Sequence, residues 1–174
     1  RSEGLAVASF QMFCQGTFSS HADKLQADAL GLQKLTEDVL AAGFQVSHHN
    51  PLVGLPGRLN LLRRLGQTIV GHPQLFGHDH PRPGGLVNYL LTKAHGKLAA
   101  ETVFSAVLEG LGDIWAGRLH LNGINLGDVW HHSALDNVTE NGLVPFHKLS
   151  QWLTYSLLEP LQELGLEITG LDTL

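Results

Sequence analysis

The chain is short of cysteine, with one residue, Cys14, in 174. A lone thiol excludes an intramolecular disulfide framework and fits a reducing, cytoplasmic compartment. Long apolar runs are missing too: none approaches the roughly 20 residues that cross a bilayer, so no membrane span is expected. The opening R-S-E-G has no charged leader region or cleavage site, and no secretory signal is expected. Charge of one sign nowhere accumulates. The net charge of −5 comes without a basic stripe, which argues against a nucleic-acid partner. Asn137-Val138-Thr139 matches a glycosylation sequon, a chance match if the chain is not secreted. What the chain does have is 43% hydrophobic and 16% charged residues, the make-up of a folded protein with a genuine core.

Several catalytic signatures are absent as well. There is no G-x-S-x-G elbow, no G-x-x-x-x-G-K phosphate loop and no G-x-G-x-x-G turn, so no nucleotide cofactor, or cofactor of any kind, is expected. Eleven histidines invite a metal. His78-x-His80 lies in a loop, and His48-His49 and His131-His132 are adjacent pairs. None has the i, i+4 spacing with a neighbouring Glu that marks a zinc hydrolase, and a structural zinc would draw on cysteines. No metal is expected. Cys14, at an apolar helix end, reads as an inert thiol.

The periodicity predicts a mainly α fold: one multi-helix domain, 1–174, with one small β-hairpin. A helix over 2–13 alternates small and large apolar groups, with Ser2 as N-cap, and is expected to be buried. A helical region over 23–42 places Leu25, Leu32, Leu35, Val39 and Leu40, with Gly31 dividing it and Gly43 ending it. Pro56 opens a helix to residue 70 that buries Leu59, Leu62, Leu65 and Ile69 and exposes Arg58, Arg63 and Arg64. Residues 71–85 read as loop. Helices follow over 86–93 and 100–111, joined by a turn at Gly96. Asn122-Gly123 marks a two-residue hairpin within 118–126, with Leu119, Leu121, Ile124 and Leu126 on one face. Residues 136–142 are polar loop. A last helix spans 144–159, and Pro160 is expected to kink or break it.

That last helix has two unlike faces. At 100° per residue, Phe146, Leu149, Leu153, Leu157, Leu161 and Leu164 form an apolar stripe suited to a core. The other side carries His147, Lys148, Gln151, Trp152, Tyr155 and Glu159, where a solvated face seldom mixes Trp, Tyr and His. Lys148 falls in the first turn, where the helix dipole disfavours a cation unless an anion is near. A wall that meets an anionic ligand, or a face that packs on another domain or subunit, would each explain this.

The turns on either side of the hairpin repeat one pattern, Gly112-Asp113-Ile114-Trp115 and Gly127-Asp128-Val129-Trp130. A carboxylate beside an indole at two adjacent corners suits a sugar-like or cationic species, with a cation–π contribution of roughly 0.5–2 kcal/mol. The plainer alternative is that the aspartates cap turns while the rings fill core. Arg58 and Arg82, each near a Pro or Gly turn, are candidates to grip phosphate.

R-S-E-G-L-A-V-A-S-F, F-Q-V-S-x-x-N-P-L-V-G-L-P-G-R, R-P-G, G-D-I-W-A-G-R, L-G-D-V-W and V-P-F-H-K-L-S-Q-W-L-T-Y-S-L-L-E-P together resemble a family of fungal and bacterial uracil-catabolism proteins. The family was long described only as a domain of unknown function. The resemblance runs along essentially the whole chain. Its members are roughly twice as long, so the chain is expected to be a C-terminal portion, cut at both ends. It stops before a family segment reading L-T-G-L-P-E-Y-R-N-G-G, and association with the missing N-terminal portion or as a homo-oligomer is expected. P-F-H-K-L-S-Q-W-L is also similar to P-F-Y-K-R-A-Q of the queuosine-salvage N-glycosylases, which implies a helical architecture related to DNA glycosylases. That similarity places a catalytic carboxylate beyond Leu174.

The resemblance implies N-glycosidic hydrolysis of a ribosylurea, 5′-phosphorylated, with release of urea. Such chemistry passes through an oxocarbenium-like state that needs a carboxylate and an acid for the leaving nitrogen. On this expectation Asp128 meets the developing cation, and His147, whose side-chain type titrates near neutrality, donates the proton. Trp130 and Trp152 stack, Lys148 with Arg58 or Arg118 holds phosphate, and Gln151 and Tyr155 bond the urea group. The competing classes are a non-catalytic helical binding or scaffold domain of the same pathway and a metal-dependent amidohydrolase.

Overall fold

The structure, a computed structural model, describes residues 2–115, 117–135 and 142–174. The sequon at Asn137 and the expected polar loop, all but Gly142, lie outside the described residues. Mainly α is what is observed: eight α-helices among the described residues, with strands only in two-stranded pairings. No helix among them is long and apolar enough to cross a membrane. The chain gathers into two compact units, Arg1–Gly85 and Leu86–Leu174.

The first unit is built on α4 (Leu55–Gly71), against which α2 (Ala29–Lys34), α3 (Glu37–Gly43) and α5 (Pro73–Phe76) pack, while α1 (Ser2–Cys14) packs on α3. Leu40, Ile69, Leu75 and Phe76 are fully enclosed, each contributing about 1.5–3 kcal/mol by leaving water. Four expectations are corrected here. The helical region over 23–42 starts later, at Ala29, and breaks at Thr36 rather than at Gly31. Thr36 Oγ1 accepts from the Val39 amide at 3.3 Å and so opens α3. Gly31 sits inside α2 because a Cβ there would lie 2.1 Å from the Phe18 carbonyl oxygen. Arg63 and Arg64 are half-buried rather than exposed, as are Leu62 and Leu65 rather than buried, and the Arg63 guanidinium donates to the Leu35 carbonyl that ends α2. The stretch 71–85 contains the short helix α5, whose Leu75 and Phe76 are core. Lastly, α1 begins at Ser2 itself and is not a buried helix. Only Met12 is enclosed, while Val7 and Phe10 are exposed.

The second unit pairs α7 (Ala100–Leu111) with α8 (Lys148–Glu163), preceded by α6 (Gly85–Lys93). Three small ladders tie it together. β1 (Lys97–Ala99) runs parallel to β6 (Glu167–Thr169), with Leu98 opposite Ile168. β2 (His120–Leu121) and β3 (Ile124–Asn125) form the expected hairpin. Asn122 and Gly123 both hold positive φ, 53° and 83°, as a type I′ turn demands. Its Leu121 and Ile124 are exposed. β4 (Val129–His131) pairs antiparallel with β5 (Leu143–Pro145). Strand is therefore not confined to 118–126.

The last helix differs from expectation in start and in phase. Leu143 to Pro145 are strand, so α8 begins four residues late, at Lys148. Its enclosed positions are Ser150, Thr154, Leu158 and Leu161, while Phe146, Leu149 and Leu164 of the expected stripe are exposed. The helix continues through Pro160 to Glu163. The bond that proline forfeits falls on the exposed Ser156 carbonyl, where water can replace it.

Candidate functional site

The two G-D-x-W corners do come together, through the hairpin between them. Asn125 Nδ2 donates to the Gly112 carbonyl and to Asp113 Oδ1, each at 3.2 Å, and Asn125 Oδ1 accepts from the Gly127 amide at 2.9 Å. Between the corners lies Arg118. Its guanidinium carbon is 4.1 Å from the Trp130 ring centre and 5.5 Å from that of Trp115. Its Nη2 is 3.9 Å from Asp128 Oδ1, and the side chain is 10% exposed. The cation that two indoles and a carboxylate were expected to attract is thus present already, supplied by the chain. Stacking of a largely desolvated guanidinium contributes about 2 kcal/mol.

Asp128 is the hub. Its carboxylate, 4% exposed, accepts from the Leu149 amide at 3.0 Å and from Trp130 Nε1 at 3.2 Å. Its own carbonyl accepts from the His147 amide at 3.2 Å. The carboxylate therefore caps α8 and places a negative charge at its N-terminal end. Both readings of Asp128 meet here: it caps, and it does so inside an Arg and Trp cluster.

His147 enters α8 in the left-handed region, φ 48° and ψ 20°, unusual for a residue with a side chain. Its carbonyl accepts from the Gln151 amide at 2.8 Å, and its ring stands edge-on to Phe104 at 5.9 Å. Among the described residues two buried side-chain nitrogens have no hydrogen-bond partner: His147 Nδ1 and Arg118 Nε. Both belong to residues joined to Asp128.

Lys148, Trp152 and Tyr155 lie on the outer face of α8 and are exposed, Trp152 at 68%. Gln151 is half-buried and its Nε2 donates to the Leu174 carbonyl at 2.8 Å. Arg58 belongs to the first unit, in the first turn of α4. Arg82, also there, donates from Nη1 to Gln26 Oε1 at 3.3 Å. Phe104 and Asn125 were not singled out in sequence, and Trp115 was noted as part of a corner but given no role of its own. Trp115 carried the signal, since it repeats the G-D-x-W pattern, while Phe104 looks like any core position of α7. The histidines scatter: His48 stacks edge-on with His49 and His21 with His80. Among the described residues no three His, Cys, Asp or Glu side chains are grouped to hold a metal.

One protein family, described as "Protein of unknown function (DUF1688)", matches residues 1–174. "Uracil catabolism protein 4" of Lachancea kluyveri is 42% identical over 184 residues, covering 97% of this chain and 41% of that protein. "Protein urg3" of Schizosaccharomyces pombe is 42% identical over 167 residues, covering 94% of this chain and 38% of that protein. The chain thus spans about two fifths of the length of these curated relatives. No solved structure matches it.

Proposed function

The chain belongs to the DUF1688 family, and we propose that its second unit serves uracil catabolism by holding a ribosylated urea, 5′-phosphorylated on the ribose, for N-glycosidic hydrolysis. The observation that carries this reading is the pair of buried nitrogens without partners, Arg118 Nε and His147 Nδ1, on one Asp128-centred cluster. Buried polar groups are hydrogen-bonded as a rule, and two orphans in one cluster fit a place where a ligand completes the bonding. The name of the Lachancea kluyveri relative supports the pathway.

In the reaction the bond from the ribose C1′ to the ureido nitrogen breaks, water adds to C1′, and urea leaves. His147 delivers the proton that the departing nitrogen needs. Lys148 attracts the phosphate, and Trp130 and Trp152 offer faces to the sugar and the urea. Asp128 supplies negative charge toward the developing cation while holding Arg118, Trp130 and the start of α8 in place. Gln151 reaches the urea group by exchanging its bond to the Leu174 carbonyl, and Tyr155 flanks it.

A second reading, a non-catalytic binding domain, is favoured by the full engagement of the Asp128 carboxylate with Leu149, Trp130 and Arg118. The full-length protein, given ribosylurea 5′-phosphate, decides between them. Urea and ribose 5-phosphate should appear in equal amounts. His147→Ala should lower turnover by about 10²–10⁴-fold with little change in binding. Lys148→Ala should weaken the phosphorylated substrate by about ten- to a hundredfold and its dephosphorylated analogue far less. Binding without urea release in the wild type would favour the binding domain.

A further inference from the structure

The first unit carries a pair of cavities that this chemistry does not use. One, of about 620 Å³, opens between α1, residues 44–53 and the start of α4, and presents the side chains of Gln11, Gln45, Asn50 and Arg58. Its neighbour, of about 330 Å³, is walled by Phe18, Leu32, Phe44, Leu61, Leu62 and Leu65. Phe44 and Arg58 line both, so a cation stands where the polar cavity meets the apolar one.

Among the described residues nothing neutralises that cation. Arg58 is exposed and has no partner among the described residues. Neither cavity is lined by an Asp or Glu, although the whole chain carries a net charge of −5. Arg58 also sits in the first turn of α4, which has no acidic residue in that turn. Its N-cap, Gly54 at φ 78°, offers no side-chain oxygen, so the positive end of the helix adds to the charge of Arg58. In the second unit Asp128 does this work for α8; for α4 no described residue does.

We propose that these cavities form a second binding site, for a small organic anion with a flat apolar body. Arg58 grips the carboxylate or phosphate bidentately, and the amides of Gln11 and Gln45 flank the polar part, while Asn50 Nδ2 is held on the Phe44 and Gln45 carbonyls at 3.4 and 2.9 Å. The body enters the Leu61–Leu62–Leu65 cavity. A dry cavity of about 150 Å³ accepts benzene, so about 330 Å³ holds a single ring system with substituents. The site goes beyond the hydrolytic reading and lies in the other unit, so either can fail without the other.

Isothermal titration of the full-length protein with phenyl phosphate and benzoate tests it, against benzamide as a neutral shape match and inorganic phosphate as an anion without a body. The better of the two anions should bind at least about tenfold more tightly than either control, and comparing them tells phosphate from carboxylate. Arg58→Ala, an exposed change expected to leave the circular dichroism spectrum unaltered, should abolish that advantage, and Arg58→Lys should restore part of it. Three outcomes overturn the proposal: equal binding of anions and benzamide, no saturation of either anion by about 10 mM, or undiminished binding in Arg58→Ala.

Discussion

His147 combines a backbone in the left-handed region with a ring nitrogen that has no partner among the described residues. Such a backbone costs a residue with a Cβ about 1–3 kcal/mol, and strain of this kind gathers at functional sites. Comparing His147→Gly with His147→Ala isolates it, because both remove the ring and only glycine tolerates the backbone. Glycine should be the more stable variant by about 1 kcal/mol in thermal unfolding, with turnover lost in both; equal stabilities would mean that the backbone is relaxed there. Asp28 is the residue whose ionisation matters most to the first unit. Burial alone would raise its pKa, but bonds from the Gly31 and Ser20 amides and from the Ser20 and Gln26 side chains outweigh it and lower the value from 3.8 to about 2. A depressed folded pKa adds stability that is present above 3.8 and is lost as pH falls through about 2. Roughly 2 kcal/mol should therefore disappear between those limits in urea titrations at stepped pH. Asp28→Asn should start lower and lose far less over the same range.

Among the elements, α8 teaches most about what a sequence discloses. Its existence is legible from the Leu-rich repeat, as are the exact span of α7 and the type I′ hairpin, because each is written in local residues. Where α8 starts is not local. Val144 and Pro145 are strand because they pair with Trp130 and Val129 across the chain, and no feature within 144–147 announces that partner. Its phase is hidden for another reason: Ser150 and Thr154 are enclosed, and Thr154 meets its polar need by donating to the Ser150 carbonyl at 2.8 Å. A hydroxyl satisfied within its own helix can sit in a core, so the row of leucines lies only partly on the buried side: Leu161 is enclosed, while Leu149 and Leu164 are exposed. The candidate site was legible as residue types at two corners; that Arg118 would fill the space between them depends on tertiary packing. Because Asp128 joins β4, Arg118 and the first turn of α8, Asp128→Ala should lower stability by about 3 kcal/mol in chemical denaturation. Asp128→Asn should lose less, since it can still cap. A loss below about 1 kcal/mol for the alanine variant would remove the hub role.

At the scale of the whole molecule, large apolar side chains stand in water on both units: Val7 and Phe10 on α1, and Phe146, Trp152 and Tyr155 at α8. Surfaces of this kind mark contacts with other protein. With relatives whose length this chain covers by only about two fifths, the 174-residue chain should bind a hydrophobic dye and self-associate in sedimentation runs, and the longer protein should do both less. A monodisperse, dye-silent 174-residue chain would show that these side chains need no cover. The parallel ladder of β1 and β6 bears on a different matter, the order of events during synthesis. Lys97 and its partner Glu167, bonded at 2.8 Å, are 70 positions apart. At about 5–20 residues per second, several seconds pass between their emergence from the ribosome. Through that interval α7 can form behind β1 but β1 has no strand to lie against, so the second unit closes only when its last strand emerges, and nascent chains stalled short of Glu167 should remain open to protease.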